Sequence, residues 1–158
     1  MKKDKISDFT LRITQCNRSG LIVVIYDMVL EYIDDAAECY ELDNKDGFID
    51  ATKKARECVG KLMSSLDTKY PIALELMQLY VYINKLLITS VIKKKPQDFE
   101  AIKRMIHNLA DAFREVAKQD TSGPMMGNTQ QIYAGLTYGK GTLTESYSKL
   151  DSNRGFRV

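Results

Sequence analysis

Three prolines punctuate this chain, at Pro71, Pro96 and Pro124. The long intervals around the first two carry an apolar period of three and four residues, not the alternation of strands. A proline can open a helix but cannot sit inside one without removing a donor and crowding the preceding turn, so these intervals must hold separate helices. From about Ser19 to Leu42, Ile22, Ile25, Val29, Tyr32, Ala36 and Tyr40 form one stripe, and Leu21, Val24 and Met28 form a second beside it. Asn17 or Ser19 can cap its start. The turn formers at 43–47 (DNKDG) then supply Asn44 and Asp46 as caps for a second helix reaching about Leu66, with Phe48, Ala55 and Leu62 repeating at seven.

Pro71 suits the first position of a third helix running to about Lys93. This is the most apolar segment: Ile72, Leu76, Leu79, Ile83 and Leu86 make one stripe and Met77, Tyr80, Leu87 and Val91 another, more than one partner face can cover. Lys93, Lys94 and Lys95 complement its negative end. Pro96 is expected to open a fourth helix, whose Phe99, Ile102, Ile106, Leu109, Phe113 and Val116 run to about Gln119. Four helices of about 20 to 25 residues on short loops must alternate in direction. The expectation is an all-α fold, an antiparallel up-down-up-down four-helix bundle over residues 19–120. Residues 1–18 are expected as a flexible arm, and residues 121–158, which hold six of the nine glycines, as a flexible tail.

Composition narrows the function classes. With 158 residues, 44% of them hydrophobic and 28% charged, one core is expected, and no apolar stretch is expected to approach the roughly 18 residues of a membrane span. A net charge of +2 argues against nucleic acid as a partner. Cys16, Cys39 and Cys58 fit neither a disulfide framework nor a zinc site. MKKDKISDF lacks the apolar region of a signal peptide, so a cytoplasmic protein is expected. Asp27, Glu31, Asp34, Asp35, Glu38, Glu41 and Asp43 give the first bundle helix an acidic side, expected to be solvated. No hydrolase, phosphate-loop or zinc-helix motif occurs, and pairs such as Asp34 and Glu38 have no histidine with which to hold two metals, so no enzyme activity, cofactor or metal is expected.

Several fragments, in order, resemble the flagellar export chaperone family FliS. Ile25-Tyr26-Asp27-Met28 is similar to the family's Leu-Tyr-Asp-Gly, and Leu62-Met63-Ser64-Ser65-Leu66-Asp67 to the end of its second helix. Leu79-Tyr80-Val81-Tyr82-Ile83-Asn84-Lys85-Leu86-Leu87 resembles Leu-Tyr-Asp-Tyr-Met-Asn-Arg-Arg-Leu, and Leu109-Ala110-Asp111-Ala112-Phe113 resembles Leu-Arg-Asp-Ala-Trp. The approach to the first helix, residues 15–21, departs from the family's Thr-x-Ser-Pro-x-Glu-Leu, and Phe9, Leu11 and Ile13 stand where many members carry tyrosines.

The resemblance implies a cytoplasmic bundle that holds the C-terminal segment of flagellin, prevents premature polymerisation and delivers it to the secretion apparatus. It also implies an N-terminal segment that lies across the client groove and leaves when client binds. The surplus stripes then become candidate client contacts through Leu21, Met28, Met77, Tyr80, Leu87 and Val91, with Tyr26, Tyr82 and Asn84 added from the matched motifs. The free protein is expected as a monomer or weak homodimer. In the tail, Ile132, Tyr133, Leu136, Tyr138, Leu143, Tyr147 and Leu150 belong either to an inert linker or to a segment docking on the bundle or on the export gate. Two other classes stand beside this reading. One is a histidine phosphotransfer bundle built on His107, although Asp111 places a carboxylate near the imidazole. The other is a structural bundle that only oligomerises.

Overall fold

The computed structural model describes residues 3–124. Among these residues there are five helices and no strand: α1 (Lys3–Gln15), α2 (Arg18–Glu41), α3 (Lys45–Ser64), α4 (Pro71–Lys93) and α5 (Phe99–Gln119). The tail positions from Ile132 to Leu150 lie outside the described residues.

Local chemistry explains most of the boundaries. Asn17 caps α2 by accepting from the Gly20 amide at 2.7 Å, and Asn44 caps α3 by accepting from the Gly47 amide at 3.0 Å. Pro71 is the first residue of α4, where its missing N–H costs nothing. Pro96 does not open α5. It lies in the loop, and Asp98, in left-handed backbone at φ 51°, caps Ala101 instead. The loop is tied back by Ser90, a fully buried hydroxyl that donates to the Leu86 carbonyl and accepts from the Gln97 amide at 3.0 Å.

Residues 3–15 of the expected arm form α1, a helix of 13 residues. Lys5, Phe9 and Arg12 recur at steps of four and three and so share a face, and that face meets α2 through Lys5–Glu31 and Arg12–Asp27 ion pairs while Phe9 is buried. A helix this short is marginal alone, so its order depends on the contact.

The core is one cluster built by Tyr26, Val29, Ile33 and Ala36 of α2, Phe48, Ala55, Val59 and Leu62 of α3, Tyr80, Ile83 and Leu87 of α4, and Ile102, Ile106 and Ala110 of α5. Phe48 stacks on Phe99 with ring centroids 6.1 Å apart. Helix α2 is central, touching α1, α3 and α5, while α4 packs on α3. Passing along α5 from its start, the partners on α2 move toward the start of α2: Lys103 pairs with Asp34 at 2.7 Å, Arg114 with Asp27 at 2.7 Å, and the carbonyls of Ala117 and Asp120 accept from Asn17. Each buried Leu or Ile contributes about 1.5–3 kcal/mol, against about 0–1 kcal/mol for a surface ion pair, so apolar packing stabilises the fold and the pairs set its register.

Helix α4 departs from expectation twice. By length and composition it is apolar enough to cross a membrane, with a mean hydropathy of 1.3 over an 18-residue window, contrary to the expectation that no stretch approaches this. Its core face also runs across both expected stripes. Ala73, Tyr80, Ile83, Leu87 and Ser90 point inward, whereas Ile72, of the first stripe, is 59% exposed. An apolar arc this wide does not show in which direction the helix's neighbour lies.

Candidate functional site

Three apolar surfaces adjoin the core. The first is a cleft of about 580 Å³ at the end of the molecule where α2 and α4 begin, lined by Leu21, Ile22, Leu66, Ile72, Leu76 and Tyr80, with Phe113 contributed by α5. The second is the face of α2 beneath α1. Phe9, Val23 and Val24 are buried there, apart from the main cluster, and a neighbouring cleft of about 670 Å³ is lined by both valines and by Arg12, Cys16 and Arg114. The third is the outward flank of α4, where Leu74, Met77, Val81, Ile88 and Ile92 recur at helical spacing. Leu74, Val81 and Ile92 are 56%, 50% and 74% exposed.

The nine residues expected to contact client divide between core and surface. Tyr26, Tyr80 and Leu87 are core residues, each at most 1% exposed. Tyr26 and Tyr80 join α2 to α4 through a hydroxyl–hydroxyl hydrogen bond, and Tyr26 packs edge-on against Phe113 with centroids 5.6 Å apart. Burial pushes both phenols up, so both remain neutral. Leu21, Met28, Met77, Asn84 and Val91 are half-buried, and Tyr82 is exposed. Leu21 lines the first cleft and Met77 belongs to the α4 flank. The structure does not gather the nine at one place.

Leu74, Val81, Ile88 and Ile92 stand outside the sequence candidates. Their spacing was visible, but without the phase of α4 they could not be separated from core positions.

The acidic side of α2 is corrected in part: Asp34, Glu38, Glu41 and Asp43 are exposed, as expected, whereas Asp27 and Glu31 are not. Asp27 and Glu31 have side chains only 18% and 19% exposed, and they receive Arg12 and Arg114, and Lys5, respectively. They are covered because α1 and α5 flank that side. Asp34 pairs with Lys103. His107 is exposed on α5, one turn before Asp111, whose carboxylate accepts from Arg114 at 2.5 Å. Burial raises the Cys58 thiol, keeping it protonated. Among the described residues, no cluster of His, Cys, Asp and Glu could hold a metal.

A helical domain with one filled core and further apolar surfaces at its flanks has the surface chemistry that protein docking uses. The comparison with protein families specifies which. The model of flagellar protein FliS matches residues 7–120, well over half the chain, and the chain belongs to that family, a family of flagellar chaperones. No curated protein matches it.

Proposed function

We propose that this chain is a cytoplasmic, ATP-independent export chaperone that binds the C-terminal segment of flagellin, keeps it from polymerising and passes it to the flagellar secretion apparatus. Helices α2 to α5 serve as an antiparallel up-down-up-down bundle, a reading supported by the short loops and by the order of partners along α2 and α5. The observation that carries the proposal is the outward flank of α4. Only 22% of the apolar window of α4 is buried, and Leu74, Val81 and Ile92 stand in solvent. Flagellin ends assemble by burying amphipathic stripes, and an apolar flank of this kind competes for them without any catalytic group. Helix α1 is read as the cover that leaves the neighbouring face of α2 when client arrives. Met77 and Tyr82 remain the best placed of the sequence candidates, beside the α4 flank.

The test is calorimetry with a peptide from the flagellin C-terminus. Val81→Asp should weaken binding about tenfold or more, because it puts a charge where the client buries apolar surface, while leaving the melting curve in place. Leu87→Asp, by contrast, should destroy the fold. Unchanged affinity in a folded Val81→Asp protein would remove the α4 flank from the binding surface.

A further inference from the structure

The face of α2 beneath α1 is built to read charge as well as shape. Lys5 donates to Glu31, Arg12 donates to Asp27, and Phe9 is buried on the same side of α1. The Arg12 guanidinium lies 5.5 Å from the centroid of the Phe9 ring, so ring and cation act as one unit. Asp27 has a second cation, Arg114 at 2.7 Å from its other oxygen, which belongs to α5 and stays when α1 leaves.

These partners decide what can replace α1. A segment that is merely apolar fills the place of Phe9 but strips Arg12 from Asp27 and Lys5 from Glu31, two carboxylates more than four-fifths covered. Removing a cation from a carboxylate so shielded from water costs more than breaking a solvated pair. A segment carrying its own cations at the same spacing restores both contacts.

We infer that this face selects helices with a cation four residues before, and another three residues after, an aromatic or large aliphatic residue. Lys5, Phe9 and Arg12 are the chain's own copy of that pattern. Asp27 and Glu31 are therefore specificity-determining residues for the incoming chain. The inference rests on the chaperone reading, which supplies both the release of α1 and the identity of that chain.

The experiment uses the full-length protein carrying Phe9→Ala, so that its own α1 competes weakly. It is titrated with a labelled peptide of the α1 sequence, KDKISDFTLRITQ, and with a twin in which the residues matching Lys5 and Arg12 are Glu. The cationic peptide should bind about tenfold tighter, as expected for two part-shielded pairs, and the gap should shrink as salt rises. Adding Asp27→Asn should close part of the gap. Should that variant fail to fold, Glu31→Lys carries the same test and should bring the acidic twin closer to the cationic peptide. Equal affinities, binding of neither peptide, or a preference unaltered by Glu31→Lys would overturn the inference. A flagellin C-terminal peptide is measured in parallel. If it binds while the α1 peptide and its acidic twin are not distinguished, the charge rule falls and the chaperone reading stands. If it does not bind while the cationic peptide does, the reverse holds.

Discussion

Two hydroxyls facing each other in an apolar core make a bond whose halves are worth little apart. Tyr26 and Tyr80 satisfy one another between α2 and α4, so Tyr26→Phe leaves the Tyr80 hydroxyl buried without its partner. Urea denaturation should show a loss of about 1–3 kcal/mol for either single Phe variant and a smaller loss for the double variant, in which no orphan remains. Equal and additive losses would mean that water takes over the missing role. Asp120 is another residue whose neighbours set its behaviour. Its carboxylate accepts from the Ser122 hydroxyl and amide and from Ser19, and these bonds hold its pKa down to about 2, from 3.8. A depressed carboxyl pKa stabilises the fold above the unfolded value, and that contribution is lost as pH falls through the folded one. NMR titration should find the Asp120 midpoint near 2, and Asp120→Asn should remove that part of the acid dependence below pH 4.

At the scale of elements, helix ends and helix middles offer changes of opposite kind. Lys94 closes α4 in left-handed backbone at φ 53°, where a side chain is strained and glycine is not. Lys94→Gly should raise stability by up to about 1 kcal/mol in thermal unfolding. Gly60, inside α3 with open space around it, should yield about 0.8–1.0 kcal/mol as Gly60→Ala. Gly47→Ala should do the reverse, since its Cβ would come within 2.5 Å of the Asn44 amide that caps the helix. The four long helices were legible because caps, prolines and three-four spacing are local. What escaped was non-local. The phase of α4 depends on where α3 lies, and α1 is helical because Glu31 and Asp27 wait for Lys5 and Arg12 across a turn. The same cause separated core from surface: Tyr26, Tyr80 and Leu87 share composition with the exposed Leu74 and Val81, and only the direction of a neighbouring helix distinguishes them.

At the scale of the whole molecule, α2 is the hub, covered by α1 on one side and packed by α3 and α5 on others. The interior of the cluster holds the fold, and the proposed function places client contact on other residues, at the flanks. Asn17 binds the two ends of this arrangement. Its oxygen caps α2, while its amide donates to Ala117 and Asp120, residues 100 and 103 positions later. Contacts of such separation form late, because the loop they close is long. On the ribosome the delay is literal. At about 5–20 residues per second, α2 exists for roughly 4–16 seconds before α5 has been made to meet it. During that interval α1, synthesised first and joined by a single turn, is the cover already within reach of the nascent helix.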